Sequence, residues 1–209
     1  GTTFALALSN TDQSGYSVGS ITLTMPSMGE IKISQATGGV GIDVKDDAMP
    51  TAWEETDGTG LTIGQDKVSG VGGSMALQWK SPSMYGSTIA FAYAPKNDGK
   101  LVNDKGASGS GVDQKGAGWD VLLDLNTAGG MIPNVFAGYS TTEREKNPKS
   151  MGTNLDEASD REEAVAGAIF SIGPVKAGAQ VSGEWLGNNN NVTVADVAGY
   201  KNVAYGISF

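Results

Sequence analysis

Cysteine and histidine are both absent from the 209 residues of this chain. Without cysteine there is no disulfide frame and no thiolate. Without histidine there is no imidazole to ligate a metal or to activate a serine, so a serine–histidine hydrolase cannot be built from these residues. Basic side chains are scarce, 14 against 23 acidic ones, and the net charge of −9 excludes nucleic acid as a partner, because phosphates need basic patches. No run of 18 or more apolar residues occurs, so no transmembrane helix is expected, and no signal peptide is visible. Continuous apolar segments, which a core covered on both faces needs, are few, and the apolar share is only 39%. Proline, with 7 residues, is sparse and sits mainly at turn positions.

Glycine is abundant instead, at 31 residues, and between the glycine-rich stretches the sequence alternates strictly. Ile21, Leu23 and Met25 face away from Ser20, Thr22 and Thr24, and Met75, Leu77 and Trp79 face away from Gln78 and Lys80. Ile89, Phe91 and Tyr93 oppose Thr88, Ala90 and Ala92; Trp119, Val121, Leu123 and Leu125 oppose Asp120 and Asp124. Period two with β-branched and aromatic residues predicts antiparallel strands, about ten of them. They are expected at 3–9, 18–25, 30–36, 74–80, 87–94, 119–126, 135–139, 164–172, 175–186 and 203–209, joined by connections that alternate short and long. A soluble sandwich alternates in the same way. Two features point instead to a transmembrane β-barrel: aromatics near strand ends on the apolar face (Trp79, Tyr93, Trp119, Tyr139, Trp185, Tyr205), and charged or amide side chains in mid-strand on the other.

One stretch breaks the pattern. Residues 38–72 show neither alternation nor a helical stripe, and between Ile42 and Asp57 they carry six carboxylates (Asp43, Asp46, Asp47, Glu54, Glu55 and Asp57) against one lysine. A connection this long between strands is usually functional or disordered. It is expected to fold inward and narrow a pore, with its carboxylates facing Lys32, Lys80 and Lys176, which fall on the polar parity of their strands. Opposed charges across a water-filled waist make a transverse field that biases which ions and solutes pass, and the net charge points to cations. Pro50 and Trp53 are expected to stiffen the segment.

The segment Gln78-Trp79-Lys80-Ser81-Pro82-Ser83-Met84-Tyr85-Gly86-Ser87-Thr88-Ile89-Ala90-Phe91-Ala92-Tyr93 resembles the strand, Ser-Pro-x-x-x-Gly, strand hairpin of general porins of the Gram-negative outer membrane, of the alphaproteobacterial type. Asp46-Asp47-Ala48-Met49-Pro50-Thr51-Ala52-Trp53-Glu54-Glu55 sits where those porins place their constriction loop, and Val203-Ala204-Tyr205-Gly206-Ile207-Ser208-Phe209 is similar to one of their strands ending in an aromatic. The resemblance implies a passive diffusion channel in the cell outer membrane. Lipid and lipopolysaccharide would surround it, three copies would form a trimer, and ions and small hydrophilic solutes would pass. Such porins have about sixteen strands, with the loop after the fifth. Here the acidic segment follows the third, so residues 1–209 are expected to be one β domain, an internal portion of a larger barrel.

Other readings have their own carriers. Clustered oxygens at Asp43, Asp46 and Asp47 could hold calcium, although their spacing is no EF-hand. Adjacent acids such as Glu54 and Glu55 point to no fixed separation for glycosidase work, so an enzyme is not expected. A secreted or surface β-rich adhesin without a pore is the alternative function.

Overall fold

The computed structural model describes residues 1–7, 18–35, 39–46, 48–50, 68–72, 75–95, 114–126, 133–145, 160–185 and 199–209. All ten expected strands are present: β1 (Thr2–Ala7), β2 (Val18–Met25), β3 (Gly29–Gln35), β4 (Met75–Lys80), β5 (Thr88–Ala94), β6 (Gln114–Leu125), β7 (Asn134–Glu145), β8 (Arg161–Ile172), β9 (Val175–Trp185) and β10 (Gly199–Ser208). They form a single antiparallel sheet in which each strand pairs with its sequence neighbours. A 3-10 helix at Gly41–Lys45 is the one helical element among the described residues, and no described helix could cross a membrane.

The short connections follow turn chemistry. β8 and β9 are joined by Gly173-Pro174 between the paired Ile172 and Val175. Gly173 takes φ 58, and proline fixes the next residue, the composition of a two-residue type II′ hairpin. Four strands run well beyond the spans that the alternation predicts. β6 begins at Gln114 and β7 continues to Glu145, beyond Tyr139; β8 begins at Arg161 and β10 at Gly199. Tyr139 therefore lies in mid-strand, not near a strand end. Beyond it the residues are polar on both faces, and alternation in hydrophobicity carries no signal there.

The sheet is inverted relative to a water-soluble one. Ile33, Leu77, Phe91, Leu123, Val181 and Val203 stand exposed on one face, each at least 40% accessible. The opposite face buries Ser34, Gln78, Asp120, Ser140, Glu163 and Gln180. Tyr93, Trp119 and Trp185 share one register row on the bare face, and Trp119 lies against Phe91 and Tyr139. Trp79, at the turn end of β4, donates its indole N–H to the Met28 carbonyl at 2.8 Å.

The line of turns climbs across the sheet. Along the row that pairs Ile31, Trp79, Phe91, Val121, Tyr139, Ala164 and Gly183, pairing on β3 ends two residues on at Gly29, and pairing on β9 ends eight residues on at Val175. That stagger is six residues over six strand-to-strand steps. With about 3.3 Å per residue and about 4.8 Å between strands, it tilts the strands by ~35° from the perpendicular to the turn line, the tilt of strands in barrels. Closure itself is not seen: among the described residues no pairing joins β1 to β10.

Two pieces of the 38–72 connection lie on the inner face and form apolar clusters with it. Val40 and Val71 pack with Ala76, Ala92 and Ala94. Ile42 and Val68 pack with Phe136 and Val165, flanked by Ala48, Met49 and Ile169. Each of these four valine and isoleucine side chains is fully buried, which stabilises the inward position by about 1.5–3 kcal/mol apiece.

Candidate functional site

Register places the polar inward residues of neighbouring strands side by side. One continuous row runs Thr22, Lys32, Gln78, Ala92, Asp120, Ser140, Glu163, Glu184, each directly paired with the next. These residues lie on seven connections' worth of separate sequence, yet they form a polar belt across the inner face of β2 to β9.

The infolded segment is tied to this belt through its backbone. Gly41 donates its N–H to Gln78 Oε1 at 2.8 Å, and Ile42 donates to Asp120 Oδ2 at 3.0 Å. From the returning piece, Val71 also donates to Asp120, while Ser69 and Gly70 donate to the two oxygens of Glu163 at 2.9 and 2.7 Å. A buried carboxylate is costly unless hydrogen-bonded, and charge-assisted bonds of this kind are among the stronger ones. Gly41 has φ 63, and a Cβ there would collide with the Asp120 carboxylate, so glycine is required twice over. Both ends of the connection are thus clamped by carboxylates of the wall.

Arg161 completes the belt. Its guanidinium lies 3.0 Å from Glu163 Oε1 and 3.0 Å from Glu184 Oε1, holding two buried carboxylates that face each other across β8 and β9. Further along, Lys45 reaches Asp124 at 2.8 Å, with its ammonium 4.7 Å from the Phe136 ring centroid. Gln180 donates to the Lys45 carbonyl at 2.8 Å. Met49 and Pro50 then rest where glycine leaves the wall bare, against Gly206 of β10, with Pro50 also at Gly178 of β9. The segment therefore crosses the inner face from β4 to β10.

Between the segment and β1 to β6 remains a cavity of about 520 Å³. Its charged lining is Lys32, Lys45 and Lys80 with Glu30 and Asp124; hydroxyls come from Thr3, Ser20, Thr22, Thr24 and Thr88. Glu30 and Lys80 are direct cross-strand partners. Lys32 stands 3.5 Å from the Gly39 carbonyl on the edge of the segment.

Of the residues that the sequence singles out, Lys32 and Lys80 meet at this cavity. Lys176 lies elsewhere: it has the inward parity of β9 but is exposed at the turn end, opposite Ser171 and Ser208. Asp43 turns back within the segment, accepting the Gly39 N–H at 2.7 Å and lying against Gly72. Asp46 follows it, donating its own N–H to the Asp43 carbonyl. Asp47, Glu54, Glu55 and Asp57, and Trp53 with them, lie outside the described residues, and with them one of the three calcium candidates and most of the acidic face. Among the described residues no three carboxylates cluster for a metal.

Alternation alone does not single out the belt's own carboxylates, Asp120, Glu163 and Glu184, or Arg161 and Lys45. The expected arrangement is an acidic connection facing a basic wall, whereas the described ends of the connection are backbone N–H groups facing an acidic wall. A signal was there to read: the connection begins Gly39-Val40-Gly41-Ile42 and ends Val68-Ser69-Gly70-Val71-Gly72, apolar anchors set among glycines on both sides of the acids. No protein-family model matches this chain, and no curated protein or solved structure is significantly similar to it.

Proposed function

We propose that the chain is the wall and waist of an outer-membrane porin, a water-filled channel for passive diffusion of ions and small hydrophilic solutes. The observation that carries this reading is the inverted sheet: a bare apolar face, a polar face turned inward, and a long connection folded onto that polar face rather than away from it. Lipid is the solvent that makes a continuous bare apolar face stable, and a barrel is the sheet that satisfies its backbone there. A water-soluble adhesin would have to cover that face. The stagger of the turns and the resemblance of the β4–β5 hairpin to general porins support the same reading.

In this channel the infolded segment narrows the lumen and the belt keeps it from swinging. The net charge of −9 favours small cations overall, while the lysines of the cavity act locally on what passes beside β1 to β6. Assembly as a homotrimer in a lipopolysaccharide-bearing membrane belongs to the same proposal, on the resemblance alone.

The test is conductance of the detergent-purified, full-length native protein in planar bilayers, with reversal potential under a salt gradient. Stepwise cation-selective channels are expected. Neutralising Asp46, Asp47, Glu54 and Glu55 together is expected to shift selectivity toward anions. A detergent-requiring barrel with no conductance would overturn the diffusion-pore reading.

A further inference from the structure

We infer that the bare face of β8 and β9 is a seat for a phosphate-bearing lipid, whose acyl chains lie on small residues and whose phosphate meets Lys201. Elsewhere that face is bulky: Ile33, Leu77, Phe91 and Leu123 stand exposed on β3 to β6. On β8 its floor is Ala164, Ala166 and Ala168, and on β9 Ala177, Ala179 and Gly183, with Val181 the one larger side chain between them. Taller side chains flank this floor. Tyr139 and Val135, on either side of Ala137, stand on β7. Val203, Tyr205 and Ile207 stand on β10, where Tyr205 is 78% and Ile207 67% exposed. The flanking strands are three spacings apart, about 14 Å, and Ala177 to Gly183 spans about 20 Å of strand. Chains of one lipid leaflet, about 15 Å long (half of the hydrocarbon core), fit such a groove lengthwise. Small residues bring an acyl chain close to the backbone, where dispersion contacts add up.

Lys201 marks the head end of the groove. It is the one basic residue on the bare face among the described side chains, exposed and directly opposite Gly183 at the loop end of the floor. Gly183 stands eight residues from Val175, where the β8–β9 turn begins, which at the strand tilt is a height of about 22 Å. The apolar band of such a barrel is about 25 Å tall, so the ammonium reaches headgroup level rather than open water. A cation on a lipid-facing surface is costly without an anion, and lipid phosphate is the anion present at that level. Trp185, one row further out and 52% exposed, adds an indole N–H and an amphipathic ring suited to the same layer. Glu162, on the same face of β8, lies in that outer row and is bonded by the Tyr139 hydroxyl, leaving Lys201 as the charge level with the floor. A second copy seated here would press its own bare apolar face on the ammonium, which is why lipid is the favoured occupant.

The seat rests on the membrane reading, and its test keeps the two apart. Native mass spectrometry of the full-length protein in detergent micelles doped with dimyristoyl phosphatidic acid is expected to show one lipid retained. Dimyristoylglycerol, which lacks the phosphate, is expected to be lost. K201Q is expected to weaken retention about fivefold. A166F and A168F, which raise the floor without reaching the interior, are expected to weaken it by a similar factor, and L123F on the bulky side leaves it unchanged. Inorganic phosphate is expected not to displace the lipid; displacement would reduce the seat to a plain anion site and overturn it. An oligomer that A166F breaks, with lipid retention unmoved, assigns the face to a second copy and also overturns the seat. A conducting protein that retains both lipids alike overturns the seat and leaves the channel standing. Lys201-dependent retention without any conductance supports the seat and overturns the channel.

Discussion

Ile42 donates its backbone N–H to the carboxylate of Asp120, 78 residues further along the chain, at 3.0 Å. The same carboxylate takes the N–H of Val71, so a single wall side chain grips both the outgoing and the returning end of the connection. Asp120→Ala leaves both donors without their partner. At about 1–3 kcal/mol for each buried donor left unsatisfied, a loss of about 2–6 kcal/mol is expected. Asp120→Asn keeps an acceptor and should lose less. Thermal unfolding in detergent gives the stability, and single-channel recording should show noisier, larger currents for Asp120→Ala as the segment loosens. Unchanged melting and unchanged current would mean that the segment is held by its apolar contacts alone.

Arg161 lies between Glu163 and Glu184, which are cross-strand partners. Removing the cation in Arg161→Met strands two buried carboxylates, at a cost of about 3–5 kcal/mol. Adding Glu184→Gln to that variant should return part of the loss, because one of the two stranded charges is gone. A double-mutant cycle from chemical denaturation measures the coupling. Additive effects would show that Arg161 and Glu184 are not energetically coupled.

Gly206 lets Met49 and Pro50 rest on β10. In Gly206→Val the new side chain occupies the place of the Pro50 carbonyl, and the far end of the infolded segment must lift from the wall. Because Gly206 is a strand residue with ordinary φ, valine suits its backbone, so the sheet is expected to survive with stability changed by less than about 2 kcal/mol. Conductance, by contrast, should change clearly. The comparison of melting temperature with single-channel current tells the two effects apart.

The bare apolar face makes its own prediction. Leu77→Lys, pointing out of the sheet, should cost about 2–4 kcal/mol in a bilayer, while Thr22→Lys, pointing inward at the cavity, should cost far less. Tryptophan emission offers a check without substitution. Trp79, Trp119 and Trp185 are half-exposed on that face, and lipids brominated in their acyl chains should quench them strongly. Emission untouched by brominated lipid would place the face against protein.

The alternation of the chain determined its strands and their faces. β2 is read from Ile21, Leu23 and Met25 against Ser20, Thr22 and Thr24 with both ends correct, because period two is a local property of consecutive residues. Alternation gives no signal beyond Tyr139 and before Ala164, where both faces are polar and strand pairing, not apolar burial, extends β7 and β8. That the 38–72 connection is set apart was legible from its length and composition. How it is held was not. Only the tertiary structure decided that Gln78, Asp120, Glu163 and Glu184 form one belt, since their adjacency depends on the register of five successive pairings, and a shift of one residue in any of them would turn the next carboxylate to the opposite face. For the same reason Lys32 and Lys80 share the cavity with a lysine of the connection itself, while Lys176, of the same parity, stands apart at a turn: parity chooses the face, but the stagger of the strands chooses the height.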